Sequence, residues 1–323
     1  MQNLHTFSGN KSCNKRPEKS NPISQYRGRF APSPSGLLHF GSLIAALASF
    51  LDAKAFINDR GEQGKWLVRI EDIDPPREQQ GASHAILTTL EAFGLHWDET
   101  ELYQSTQLPY YRDILSNLSL KKLSYFCQCT RANIKATGGI YQGHCRTANI
   151  QAQGNATRLI NQYGLYQFND IFQGNVTCDK ALAEEDFIIH RKDGLFAYQL
   201  AVVADDISQG ISHVIRGCDL LEPTARQLTL YQTLNERFLK GNTPQFGHIP
   251  LAITSEGYKL SKQNKAAAID NAMPQPTLIA ALTFLGQSPV SELIDASVAE
   301  IMQWAITHWQ RDKVPNTVEI NID

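Results

Sequence analysis

Two segments about 220 residues apart carry side chains suited to a nucleoside triphosphate. The first is Arg29-Phe30-Ala31-Pro32-Ser33-Pro34-Ser35-Gly36-Leu37-Leu38-His39-Phe40-Gly41-Ser42. Its prolines fix a tight turn, and Gly36 and Gly41 let backbone approach a ligand. His39 offers a hydrogen-bond donor where charge would build on a leaving pyrophosphate. The second segment, Lys259-Leu260-Ser261-Lys262, follows Gly257 in an expected loop. Its two ammonium groups are flexible point charges of the kind that follows moving phosphate charge. Alone, a proline-rich turn with a surface histidine, or a solvated basic loop, would account for either one.

A second constellation suits an amino acid. A dicarboxylate with a free amine needs cations for its carboxylates and an anion for its ammonium. Arg29 and Arg216 could supply the cations, Glu71 the anion and Tyr198 a phenolic hydrogen bond. Each falls at an expected strand end, where side chains can converge on one cleft. Either arginine could instead pair with Asp72 or Asp219, and Tyr198 could be a core residue. A third cluster, Cys127-Gln128-Cys129 with Tyr141-Gln142-Gly143-His144-Cys145, puts three thiols within nineteen residues. Three thiolates supply most of a tetrahedral zinc site, and ligand chemistry alone favours His144 as the fourth donor. Such a zinc would be structural, stapling a segment with little apolar core of its own. Cys13, Cys178 and Cys218 lack partners at metal spacing.

These residues need a scaffold to bring them together. Tyr26–Ala31 reads as a strand entering the turn, and Leu43, Ile44, Leu47, Phe50 and Leu51 recur at helical spacing over Gly41–Phe56. Trp66–Ile70 reads as a strand stopped by the acidic turn Glu71–Pro76, and a helix is expected from about Gln80 to Phe93. This alternation predicts an α/β fold with a parallel sheet and crossover helices. Phe196–Val203 and Val214–Gly217 read as strands, Leu228–Leu239 as a helix, and the region after Pro274 as mainly helical, with helices at Leu278–Leu285 and Ser297–Trp309. The pattern divides the chain into a disordered tail (1–25), two halves of a catalytic domain (26–119 and 191–250) around an inserted zinc-bearing subdomain (120–190), and a final loop and helical region (251–323).

Composition sets the outer bounds. The 323 residues, 42% hydrophobic and 19% charged, suit a globular protein with a sizeable core. No apolar run approaches the roughly 18 residues of a membrane span, and the polar start has no signal-peptide core. A cytoplasmic, membrane-free location is therefore expected. The net charge of −2 neither requires nor excludes a nucleic-acid partner, since a local basic surface suffices.

The two phosphate-binding segments, in this order, resemble the "HIGH" and "KMSKS" signatures of class I aminoacyl-tRNA synthetases. Ser42 stands where many members have a second histidine, and Gln263 replaces the usual final serine. The strings Arg69–Asp74, Tyr198–Asp206 and Val214–Gly217 resemble the glutamate-binding segments of glutamyl-tRNA synthetases. The resemblance implies a Rossmann-type catalytic domain in which Arg29, Phe30, Ala31, Pro32, Ser33, Glu71, Tyr198 and Arg216 contact glutamate. It also implies that His39, Gly41, Ser42, Lys259 and Lys262 bind ATP, with His39 and Lys262 as the catalytic pair and magnesium on the phosphates. For the metal it implies Tyr141 beside Cys127, Cys129 and Cys145, one zinc per chain. The chain ends about 60 residues after the second motif, where glutamyl-tRNA synthetases continue into a domain that reads the anticodon. That short form, with the Cys-x-Cys…Tyr-x-x-x-Cys insertion, resembles the glutamyl-Q tRNA(Asp) synthetase family. Its members attach glutamate to queuosine in the anticodon loop of tRNA(Asp), and a monomeric enzyme without an anticodon-binding domain is expected. The competing expectations are a truncated glutamyl-tRNA synthetase that charges the tRNA 3′ end and a non-catalytic tRNA-binding paralogue.

Overall fold

The computed structural model describes residues 25–239, 241–254 and 268–322. Strand β1 (Arg27–Phe30) enters the Pro/Gly turn, where Gly36 adopts φ 137°, a conformation that a side chain would strain. Helix α1 (Phe40–Lys54) starts on a reciprocal cap. His39 Nδ1 accepts the Ser42 N–H at 3.3 Å, and Ser42 Oγ accepts the His39 N–H at 3.1 Å. Strand β2 (Lys65–Ile70) is buried on both faces, as a parallel strand covered by helices must be. Helix α2 (Ala82–Ala92), strand β3 (Leu102–Tyr103) and helix α3 (Leu108–Leu120) follow, giving the parallel order β1-β2-β3.

The middle of the chain is built differently. It contains β4 (Ser124–Cys127), α4 (Arg131–Ala136), β5 (Ala156–Leu159), β6 (Gln167–Asp170), β7 (Gly174–Thr177), α5 (Lys180–Glu184) and β8 (Ile188–His190). Strands β4, β5 and β8 form an antiparallel sheet of their own. After it come α6 (Tyr198–Ser208), β9 (His213–Gly217), α7 (Leu221–Leu234), β10 (Gln245–Ile249) and β11 (Leu251–Ile253). Helices α8 (Pro274–Phe284) and α9 (Val298–His308) and strand β12 (Glu319–Asn321) complete the described chain. Strand β10 lies between β9 and β6 in the order β7-β6-β10-β9, so the hairpin of β6 and β7 joins the second half although it falls within 120–190.

Two expectations are corrected. Phe196–Val203, read as a strand, is the lead-in and first part of helix α6. Leu200 to Asp206 are all buried, so the helix shows no polar stripe, and a short continuous apolar run looks the same in a buried strand. Its N-cap Ala197 makes no side-chain cap, which removes the usual start signal. The helix expected over Leu228–Leu239 starts earlier, at Leu221, because Pro223 is tolerated in a first turn, and it ends in a π-turn over Asn235–Leu239.

A backbone bond from Ser212 N–H to Arg27 C=O (2.9 Å) sets β9 beside β1. Strand order reverses there, and in an open parallel sheet the crevice beyond the carboxyl ends at such a point is the ligand site. One core packs α1 and β2 against α8 and α9 through Leu47, Leu51, Trp66, Leu282 and Ile301. Burying each such side chain contributes roughly 1.5–3 kcal/mol. Asp52 of α1, fully buried, accepts from Arg311 Nε (2.6 Å) and Trp309 Nε1 (3.1 Å), which clamps the C-terminal region onto the first half.

Candidate active site

The expected amino-acid contacts do converge. Arg29 is the penultimate residue of β1, Glu71 follows β2, Arg216 is the penultimate residue of β9 and Tyr198 opens α6. Backbone bonds from Glu71 N–H to Pro32 C=O (3.0 Å) and from Gln79 N–H to Pro34 C=O (2.9 Å) pin the acidic turn against the proline turn. Ser33, Pro34, Ser35, Glu71 and Arg77 line a cleft of about 320 Å³ between them. The Tyr198 hydroxyl has its pKa raised by desolvation and by Glu71, with Arg216 and Arg29 acting against that, so the four groups share one field.

The two arginines differ in kind. Arg29 places Nε and Nη2 on the two carboxylate oxygens of Asp206, each at 3.1 Å. Asp206 also binds Arg69 and accepts from the Tyr231 hydroxyl at 2.9 Å. Burial alone would raise the Asp206 pKa, but the two guanidinium groups outweigh it and pull it to about 2. Arg216 touches no carboxylate in the described structure. Its Nε donates to His248 Nε2 (3.0 Å) and its Nη2 to Thr224 Oγ1 (2.6 Å) and Gln227 Oε1 (2.7 Å). Neither arginine therefore takes the Asp72 or Asp219 pairing, and Asp72 accepts from Ser105.

Two buried polar atoms are left without partners. They are Oε1 of Glu71 and Nη1 of Arg216, in residues only 7% and 5% exposed. A buried orphan costs roughly 1–3 kcal/mol, more when charged, unless a ligand satisfies it. Burial raises the Glu71 carboxyl to about 7 despite the opposing pull of Arg69 and Arg29. A buried acceptor and a buried cationic donor, both acting on the Tyr198 hydroxyl, match an ammonium and a carboxylate.

Of the expected nucleotide-binding residues, His39, Gly41 and Ser42 stand at the head of α1, where N–H groups and the helix dipole favour phosphate. Ser42 Oγ accepts in the cap and keeps its O–H as a donor, and because His39 Nδ1 accepts there, Nε2 is the ring nitrogen that can donate. Lys259 and Lys262 lie outside the described residues. The described chain resumes at Ala268, which bridges to His39, and Ile269 N–H donates to Leu38 C=O at 3.2 Å.

The sulfur atoms of Cys127, Cys129 and Cys145 lie within 4.8 Å of one another, and none is in a disulfide. Arg158 Nε points at Cys127 Sγ from 3.2 Å, a charge suited to thiolate. Both candidate fourth donors are near. The Tyr141 hydroxyl accepts the Cys145 N–H at 2.9 Å, and His144 Nε2 is 3.2 Å from Cys129 Sγ. His144 does not join the set of mutually close ligand atoms. Three convergent thiols fit a metal ion, and zinc in particular.

Sequence reasoning missed Asp206, His248, Thr224 and Gln227, which hold Arg29 and Arg216, and Arg69 and Asp170, which in turn bind Asp206 and His248. The one visible signal was Asp205-Asp206 at the end of an apolar run, since buried carboxylates require partners.

Comparisons with known proteins agree with this geometry. The family model for class I tRNA synthetases (E and Q), catalytic domain, matches residues 25–293. The crystal structure of a glutamate-tRNA synthetase from Elizabethkingia anophelis superposes with a TM-score of 0.72 at 24% identity, covering 91% of this chain and 67% of that one. The fold and site thus define a class I aminoacyl-tRNA synthetase catalytic domain. A glutamyl-Q tRNA(Asp) synthetase of Colwellia psychrerythraea is 78% identical over the full length of both chains. One from Escherichia coli K12 is 51% identical over 298 residues, 92% of this chain and 93% of its own. Within its class the chain belongs to the glutamyl-Q tRNA(Asp) synthetase family.

Proposed function

We propose that this enzyme, a ligase, activates L-glutamate with ATP and transfers it to queuosine in the anticodon loop of tRNA(Asp). The observation that carries the first step is the pair of buried orphans, Glu71 Oε1 for the ammonium and Arg216 Nη1 for a carboxylate. The family supplies the acceptor. Arg29, with two of its nitrogens on Asp206, shapes the wall beside Phe30, Ala31, Pro32 and Ser33, and Tyr198 adds a hydroxyl. With the amino acid so held, one carboxylate oxygen attacks the α-phosphate and pyrophosphate leaves. His39 Nε2, the start of α1 around Gly41 and Ser42, and Lys259 and Lys262 hold the phosphates, so positioning and electrostatics carry the rate. ATP enters as its magnesium complex, which lowers the charge these groups must balance. A hydroxyl of queuosine then attacks the mixed anhydride and AMP leaves, with no covalent enzyme intermediate.

The zinc role is structural: Cys127, Cys129 and Cys145, with Tyr141, would hold one ion that staples the 120–190 subdomain, which we assign to binding the acceptor. Among the described residues no helix is long and apolar enough to cross a membrane. We assign the enzyme to the cytoplasm as a monomer. ATP–pyrophosphate exchange, with tRNA supplied, tests the first step. Exchange should depend on glutamate and fail with aspartate or glutamine; no exchange with glutamate would overturn the assignment.

A further inference from the structure

Arg29 and Arg216 are buried cations held in opposite ways. Arg29 lies directly against a carboxylate that cancels its charge. Arg216 is held by neutral acceptors, and the Asp206 carboxylate acts on it only through space. On the neighbouring parallel strands β9 and β10, Arg216 and His248 are register partners, so their side chains share a face. Asp170, at the end of β6, sits behind the histidine. Its Oδ1 accepts the backbone N–H groups of His248, Phe172 and Gln173, each at 3.0 Å, and its Oδ2 lies 2.6 Å from His248 Nδ1. Both side chains are fully buried. With Nδ1–H donating to Asp170, the Nε2 lone pair faces Arg216 Nε–H at 3.0 Å.

We propose that Asp170 and His248 are positioning residues for amino-acid binding: they fix the Arg216 guanidinium so that Nη1 points at a substrate carboxylate while its charge stays uncancelled. The proposal rests on the assignment of Arg216 to glutamate. A carboxylate placed directly on Arg216 would orient it equally well but would contest the substrate for the same charge. An imidazole orients it through Nε at little electrostatic cost to the ligand. Thr224 and Gln227 fix Nη2, and the Phe246 ring lies 5.1 Å below the guanidinium carbon, leaving Nη1 as the unsatisfied edge. Burial lowers the His248 pKa, with the Asp170 hydrogen bond only partly offsetting it, which keeps the ring neutral and able to accept.

The test is steady-state pyrophosphate exchange on the full chain, with glutamate and ATP varied separately. His248→Ala should raise the glutamate KM by about tenfold or more while kcat and the ATP KM move by less than about twofold, because only uniform amino-acid binding is lost. His248→Gln, which returns an acceptor near the Nε2 position, should recover most of that loss. Ile249→Ala, a buried change on the same strand that does not touch Arg216, controls for destabilisation and should leave the glutamate KM unchanged at a similar loss in Tm. A folded His248→Ala variant with an unchanged glutamate KM would overturn the proposal, and so would a KM change matched by Ile249→Ala. Arg216→Ala separates the two levels. If it loses glutamate dependence while His248→Ala does not, only the positioning role fails. If Arg216→Ala also binds glutamate normally, the assignment of Arg216 fails and this inference with it.

Discussion

The proposed role of Glu71 as partner of the substrate ammonium predicts a pH-dependent glutamate affinity. Burial holds its carboxyl at about 7 in the unliganded cleft, against an ordinary 4.5. In the proposed binding mode the substrate ammonium would require the ionised form and, once bound, keep it ionised. With a pKa near 7, about a tenth of the sites are ionised at pH 6 and about nine tenths at pH 8, so the apparent dissociation constant should fall about tenfold between them. Binding should release about 0.9 proton at pH 6 and about 0.1 at pH 8. Stability has the opposite sign. The folded pKa lies above the unfolded one, so the contribution is intact below pH 4.5 and is lost as pH rises through about 7, a loss of about 3 kcal/mol in the free enzyme. Calorimetric titration of glutamate at pH 6, 7 and 8, in two buffers of different ionisation enthalpy, measures affinity and proton release together. Glu71→Gln should bind weakly and without pH dependence across this window. Equal wild-type affinity at pH 6 and 8 with no proton release would refute the reasoning, because Glu71 would then be ionised before the substrate arrives.

Other perturbations reach different parts of the site. Asp206→Ala would strand Arg29 and Arg69 as buried cations and should cost roughly 3–5 kcal/mol, read as a lower denaturation midpoint; a loss below about 1 kcal/mol would mean that the cluster is not a structural anchor. Cys145→Ser should abolish stoichiometric zinc in elemental analysis and increase amide exchange in the β4-β5-β8 sheet, whereas unchanged metal content would remove the cluster as a metal site. Lys262→Ala should depress pyrophosphate exchange by two orders of magnitude or more, about 2.7 kcal/mol of transition-state binding, with an unchanged denaturation curve. Normal exchange in that variant would take the second motif out of the mechanism.

The parts of the site that were legible in the sequence are those that sit beside turns. Arg29, Glu71 and Arg216 each lie within one residue of a strand end and within three of a proline, aspartate or glycine, and such punctuation is local. The cysteines were legible because their spacing is itself the signal. What holds the arginines was not legible, because the contacts are remote: Arg29 and Arg69 meet Asp206 across 177 and 137 residues. His248 lies in the middle of a buried strand with no local mark of its task, and only the register with β9 brings it to Arg216. Helix α6 was misread for a related reason: burial erased the periodicity that separates helix from strand. Lys259 and Lys262 stay where the sequence put them, as an expectation outside the described residues.

The central claim is transfer of glutamate to queuosine, and the direct measurement is incorporation of labelled glutamate into tRNA from queuosine-containing cells, with tRNA from queuosine-deficient cells as the control. Label should appear on the first preparation alone. Equal label on both would mean charging at the tRNA 3′ end, and no label on either would mean a tRNA-binding protein without this activity; either result would contradict it.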